Sequence, residues 1–233
     1  MTDKIIFGGL MKTTLLDFPG KVAATLFTGG CNLRCPFCHN ASLVLNTAAE
    51  EHLVEEVLTY LKKRQGLLDG VCITGGEPLL CDGLEDFIKE VKALGYSVKL
   101  DTNGTNPERL ENLIKSGLID YVAMDVKNSI ENYSSAVGIN GYNTEKVEKS
   151  IDLLLSGLID FEFRTTVVNP IHSVEDIKKL AKRIKGAPRY FLQNFVDSGD
   201  LLGTGLSAHS RETLDQMLAV AREFIPETEL RGV

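Results

Sequence analysis

The sequence predicts an α/β fold in which parallel strands are joined by helical crossovers. Three observations carry that expectation. Strand-length apolar runs alternate with amphipathic helical stretches from end to end, glycines fall at the junctions, and no low-complexity segment or linker interrupts the pattern. About six βα units fit, fewer than the eight of a closed barrel. The chain therefore reads as one domain over 1–233, with a core over roughly 12–195 and a C-terminal helix and strand over 205–233.

Residues 22–28 are a β-rich run feeding the loop that begins Gly29-Gly30-Cys31. Residues 49–64 carry Leu53, Val57, Leu58 and Leu61 at helical spacing. A short buried strand is expected over 71–74, ending in Gly75-Gly76-Glu77-Pro78. A helix over 84–94 follows, closed by Gly95. Strands over 97–101 and 121–125 bracket a helix over 107–115, which opens on Pro107. Helix 144–155, strand 161–168, helix 173–184, strand 190–195 and helix 210–224 complete the series. Residues 113–120 and 153–160 echo one another as helix end, glycine, strand start, which fits a repeated unit and equally any αβ junction. In such sheets functional groups gather at the carboxyl ends of strands.

Composition bounds the chemistry. Of 233 residues, 43% are hydrophobic and 24% charged, a globular balance. Lys and Arg total 25 against 32 Asp and Glu, a net charge of −7, which disfavours a nucleic-acid-coating or membrane-docking surface. No apolar run has the length of a membrane helix. Met1-Thr2-Asp3-Lys4 opens without an export signal, so a cytoplasmic location is expected. Five cysteines, an odd number, then favour metal or redox chemistry over a disulfide framework.

Three of them share one loop, Cys31-Asn-Leu-Arg-Cys35-Pro-Phe-Cys38-His-Asn40. Cys35 to His39 matches a c-type haem attachment, but the βα pattern and the third cysteine oppose it. A thioredoxin-like pair would leave Cys31 without a role. A zinc site using His39 would need adjacent Cys38 and His39 to chelate together, which is awkward. An iron–sulfur cluster held by three thiolates fits best. A four-iron cluster ordinarily takes four cysteines, so three leave one iron open for a substrate, as an open position marks a catalytic zinc. Cys72 and Cys81 lack metal-type spacing and are expected as packing residues. His172 and His209 are expected as loop and cap residues and His52 on a helix face.

Cys31-x3-Cys35-x2-Cys38, with the aromatic Phe37 before the last cysteine, resembles the signature of the radical S-adenosylmethionine (SAM) enzymes. The continuation Cys38-His39-Asn40, the preceding Thr28-Gly-Gly-Cys31 and the upstream Asp17-Phe-Pro-Gly20 resemble the activases of glycyl radical enzymes. Among these the chain is most similar to anaerobic ribonucleoside-triphosphate reductase activating proteins. The resemblance covers roughly 12–193.

It implies a partial, laterally open (β/α)6 barrel and one four-iron cluster on Cys31, Cys35 and Cys38, since no further clustered cysteines follow. It also implies SAM contacts from Phe37, His39, the Gly75-Gly76-Glu77 turn, Asp101, Asn103, Lys127, Arg164 and Thr166, with Gln193 near the cofactor. By themselves a Gly-Gly turn, a strand-end Asp and a strand-end Lys are equally ordinary. In the pyruvate formate-lyase type a monovalent cation sits on oxygens matching Asp101, Thr102, Asp125 and the carbonyl of Ala123. Phe195 stands where those activases carry a histidine. The implied function is reductive cleavage of SAM to a 5′-deoxyadenosyl radical, which creates a glycyl radical on a partner enzyme, most simply anaerobic ribonucleotide reductase. A flavodoxin or ferredoxin would supply the electron. The rivals are an activase of a pyruvate formate-lyase-type enzyme, a radical SAM enzyme acting on a small molecule, and a zinc- or haem-binding interaction module.

Overall fold

The computed structural model describes residues 5–45, 47 and 51–232. They form a mixed α/β chain that divides into two compact units. The first comprises the chain through Asn32, Ser42–Thr102 and Glu108–Val122; the second comprises Leu33–Ala41, Asn103–Pro107 and Ala123 onward.

The first unit opens on a strand the sequence pattern did not reveal, β1 (Ile6–Thr14). It runs antiparallel to β2 (Ala23–Thr28), with Phe7 opposite Thr28 and Leu10 opposite Leu26. The expectation of parallel pairing throughout is thus corrected at this edge. β1 shows no regular in–out alternation and its register is interrupted twice, so its sequence carries no period-2 signal. A short helix follows, α1 (Ala41–Val44).

The stretch expected as one helix over 49–64 begins instead as a two-residue strand, β3 (His52–Leu53), paired with β1; residues 48–50 lie outside those described. His52 therefore belongs to a sheet edge and not to a helix face. The helix proper is α2 (Val54–Lys63), which buries Val57, Leu58 and Leu61.

Next come β4 (Gly70–Gly75), α3 (Leu84–Ala93), β5 (Ser97–Thr102), α4 (Pro107–Lys115) and β6 (Tyr121–Asp125). β4 pairs parallel with β2, aligning Thr28 with Gly75, and parallel with β5, aligning Ile73 with Leu100. The unit's strand order is β3-β1-β2-β4-β5. Helix α3 turns Leu84, Phe87, Ile88 and Val91 inward, and burying each such side chain contributes about 1.5–3 kcal/mol. Among the described residues no helix is long and apolar enough to cross a membrane.

The second unit holds α5 (Tyr133–Val137), α6 (Glu145–Leu155), β7 (Asp160–Val167), α7 (Val174–Arg183), β8 (Tyr190–Asn194), α8 (Arg211–Arg222) and β9 (Thr228–Arg231). Strands β7, β8 and β9 are parallel in that order. Helix α7 starts on a reciprocal cap. The Ser173 hydroxyl accepts from the Asp176 amide at 3.1 Å, and the Asp176 carboxylate accepts from the Ser173 amide at 3.0 Å. The echo between 113–120 and 153–160 corresponds to two helix-to-strand junctions, each with its glycine at positive φ, 66° at Gly117 and 76° at Gly157.

Candidate functional site

The cysteine loop leaves β2 at Thr28, and its first part lies in the first unit. The Gly76 amide donates to the Thr28 carbonyl and the Glu77 amide to the Gly30 carbonyl, each at 2.9 Å. Backbone meets backbone here with no space for side chains. A Cβ on Gly76 would stand 1.8 Å from the Gly30 oxygen, and one on Gly75, whose φ is +116°, would stand 2.3 Å from the Thr28 nitrogen. This is the physical content of the glycine pair: it seats the strand end preceding Cys31 directly on the turn after β4.

Glu77 is fully buried, while Gly75 and Gly76 keep partial exposure. Its carboxylate accepts from the Leu79 amide at 3.0 Å, capping the 3-10 turn Pro78–Leu80, and from the Thr102 hydroxyl at 2.8 Å. Glu77 thus ties the ends of β4 and β5 together. On β5, Asp101 is met by the Lys99 ammonium, which is 1% exposed and also lies 3.8 Å from the Cys72 sulfur. Cys72 is buried on its strand as expected.

Two residues here escaped sequence reasoning. Lys99 had a signal that could have found it, because period-2 alternation puts it on the same face as Asp101. Arg109 had none. From α4 it forks onto Glu85 at 2.6 Å and donates to the carbonyls of Leu79 at 2.8 Å and Cys81 at 2.7 Å, closing the turn after Glu77. Its hydrogen bonds hold the Glu85 carboxyl below the usual carboxylate range. Arg109→Met is expected to cost about 2–3 kcal/mol. Urea midpoints check this, with Arg109→Lys recovering less than half because a point charge cannot fork.

The later part of the loop lies in the second unit. Cys35 is buried and Cys38 half-buried; the Cys38 amide donates to the Cys35 carbonyl at 3.0 Å, forming a tight turn. Phe37, 3% exposed, meets the His172 ring edge-on at 5.7 Å between centroids. His172 is not merely a loop or cap residue. It is 2% exposed, its Nδ1 accepts from the Val168 amide at 3.1 Å, and its Nε2–H therefore donates to the Lys127 carbonyl at 2.7 Å. Burial pushes its pKa down, so it is neutral at pH 7. His39 lies against Phe195 at 5.7 Å, and burial together with Lys127 lowers its pKa.

At the end of β6, Asp125 accepts from Lys127 Nζ at 3.0 Å and from Arg164 Nε at 2.8 Å. Burial alone would push the Asp125 carboxyl up; Arg164 and Lys127 outweigh it and hold the group well below the carboxylate range. Burial likewise opposes the charge on Lys127, but Asp125 and then Cys35 raise its pKa. The Lys127 ammonium is therefore in electrostatic reach of Cys35. Arg164 and Thr166 share a half-exposed face of β7, and the Thr166 hydroxyl is 3.5 Å from Gln193 Oε1. Asn103 turns its side-chain oxygen to the amide and hydroxyl of Thr105 at 3.0 and 2.7 Å.

Among the first unit's candidates, Gly75, Gly76, Glu77 and Thr102 form one bonded assembly, with Asp101 beside it on β5. In the second, Asp125, Lys127 and Arg164 form a charge cluster within reach of Cys35 and His39. Among the described residues no three His, Cys, Asp or Glu side chains converge as a single metal ion requires. The cysteines of a four-iron cluster bind separate irons, a wider arrangement.

This mixed α/β arrangement, with the cysteine loop on a glycine turn, is that of a family. A model described as the radical SAM superfamily matches residues 25–184, and the chain belongs to that superfamily. Its relatives narrow the class. A chain of Methanocaldococcus jannaschii, provisionally named a glycyl-radical enzyme activating enzyme, is 34% identical over 240 residues, covering 99% of this chain and 97% of its own. The pyruvate formate-lyase-activating enzyme of Clostridium pasteurianum is 31% identical over 183 residues, 73% of this chain and 72% of its own. Among solved structures, a domain of pyruvate-formate lyase-activating enzyme from Bacteroides vulgatus matches with a TM-score of 0.56 and 18% identity over 70% of this chain and 99% of its own, a likeness of fold.

The superfamily implies a four-iron cluster and SAM. The donor chemistry fits: Cys31, Cys35 and Cys38 are three cysteines of one loop outside any disulfide.

Proposed function

We propose that this protein is a radical SAM activase whose Cys31, Cys35 and Cys38 hold one four-iron cluster and whose product is a glycyl radical on a partner enzyme. The observation that carries this reading is the cluster of Asp125, Lys127 and Arg164 at the end of β6. It joins one negative group to two positive ones, a surplus suited to an anionic carboxylate such as that of SAM. When bound, the cluster and SAM supply reductive cleavage of the sulfonium carbon–sulfur bond, giving methionine and a 5′-deoxyadenosyl radical that takes a hydrogen from a glycine Cα. The chain's own part is positioning. Gly75 and Gly76 bring the turn after β4 against the strand end preceding Cys31. Glu77 and Arg109 stiffen that turn, and Lys127, fixed by Asp125 and His172, holds its charge at the end of β6. Phe37, His39, Asp101, Asn103 and Thr166 complete the proposed SAM surroundings.

Asp101 meets the Lys99 ammonium, and Asp125 meets Lys127 and Arg164; a monovalent cation on Asp101, Thr102 and Asp125 stays part of the proposal. A cytoplasmic flavodoxin or ferredoxin is the proposed electron donor. Phe195, in place of a histidine, favours anaerobic ribonucleotide reductase over a pyruvate formate-lyase-type enzyme as the partner. The test is anaerobic. Purified protein with reductant and SAM is expected to form 5′-deoxyadenosine, and addition of the reductase to produce a glycyl-radical EPR signal on it. Absence of 5′-deoxyadenosine sinks the reading. Its formation only with a small-molecule co-substrate, and no protein radical, transfers the protein to the small-molecule branch.

A further inference from the structure

The connection from β8 to α8, residues 195–210, is long for a βα loop, and such lengths are usually functional or disordered. Here it is ordered by three attachments within the second unit. At its start Phe195, 3% exposed, lies against the His39 ring. In the middle the Gly203 amide donates to the Pro36 carbonyl at 2.8 Å. The approach is closer than any other residue allows, because a Cβ on Gly203 would stand 2.6 Å from Pro36 Cβ and 3.1 Å from the Pro36 Cα and oxygen. Near its end Ser207 exchanges two backbone hydrogen bonds with Asn169, at 3.0 and 3.1 Å, reinforced by Asn169 Nδ2 on the Ser207 hydroxyl at 3.0 Å. Between the first two attachments, residues 196–200 are exposed.

Pro36 and His39 flank Cys38 in sequence, so the first two attachments fall on either side of one thiol. We infer that residues 195–207 form a strap over the cysteine loop that limits access of small molecules to the cluster held there; this rests on the cluster assignment made above. The strap covers the loop on the side of Pro36 and His39 and leaves Cys38 partly exposed, so a chelator or oxidant reaches the iron at Cys38 faster when the strap lifts. Lifting is a local opening, whose population is set by the attachments and not by global stability.

The test measures iron release. Reconstituted holoprotein, with iron and sulfide assayed first, is exposed anaerobically to the ferrous chelator bathophenanthroline disulfonate, and the absorbance of the iron chelate is followed. Gly203→Ala, which drives the strap from Pro36, is expected to release iron about tenfold faster. Ser207→Pro, which removes the amide bonded to Asn169 at an exposed position, is expected to accelerate release severalfold. Ser207→Ala, which keeps both backbone bonds, is expected to release at the parent rate. The thermal midpoints of the iron-free proteins separate strap opening from general destabilisation, since Ser207→Pro should leave the midpoint within about 2 °C. Release at the parent rate from Ser207→Pro, or equal acceleration by Ser207→Ala, overturns the strap while leaving the cluster in place. A parent protein that takes up no iron overturns the cluster assignment and the strap with it.

Discussion

Gly76→Ala is expected to destabilise the protein by about 3 kcal/mol and to leave it unable to retain iron. The new methyl would lie 1.8 Å from the Gly30 oxygen and 2.7 Å from the Gly30 carbonyl carbon, and both neighbours are backbone. No rotamer relieves such a contact. Either β4 parts from β2 at the Thr28–Gly75 pair, or the chain leading to Cys31 is pushed off the turn, breaking the bonds from the Gly76 and Glu77 amides. Guanidinium midpoints and iron content after anaerobic reconstitution measure the two effects. Parent-like iron content in a stably folded Gly76→Ala protein would refute the argument that this backbone contact seats the loop.

Asp125→Ala is expected to cost about 2–4 kcal/mol at pH 7, because it leaves Lys127 and Arg164 without the carboxylate they share. The estimate sits below the cost of breaking a fully buried pair, since 29% of the Asp125 side chain is exposed, with 17% of Lys127 and 14% of Arg164. The pH dependence has a definite sign. A carboxyl whose folded pKa is depressed contributes stability that is present above its unfolded value, near 3.9, and is lost as pH falls through the folded value. Lys127, with its pKa raised, contributes fully below about 10.4 and loses that contribution only above it. Neutral solution therefore holds both contributions. The stability difference between parent and Asp125→Ala should be level from about pH 6 to 9 and should shrink below about pH 4. Urea unfolding across that range measures it, and a difference constant down to pH 2 would show that the charge is not what stabilises.

The two substitutions also separate kinds of information. Gly75 and Gly76 were conspicuous in the sequence as a pair after a strand, but their necessity lies in contacts with Thr28 and Gly30, some 45 residues earlier. Asp125 and Lys127 were placed on one side of a strand by spacing alone. That Arg164 completes the cluster was decided by a hydrogen bond across 39 positions. The lysine that meets Asp101 and the arginine that meets Asp125 reach them only in the folded chain. His172 is expected as a loop residue because a single histidine two positions after a proline carries no periodic signal. Its place between Phe37 and Lys127 exists only once the chain has folded.

The sequence by itself determined the alternating helices and strands, the cysteine spacing, the glycine turn and the family those motifs mark. These are local properties: hydrophobic period, turn chemistry and metal-ligand spacing are written within a few residues of one another. The tertiary structure decided the antiparallel β1, the Arg109 fork under the turn after Glu77, the Lys99–Asp101 pair and the contact of Gly203 with Pro36. Each depends on groups remote in sequence or on a two-residue contact that leaves no pattern, and a lone charge or glycine has no period to declare its partner. Of the five cysteines, sequence spacing puts three on one loop, and the tertiary contacts add, by our inference, a strap across Cys38.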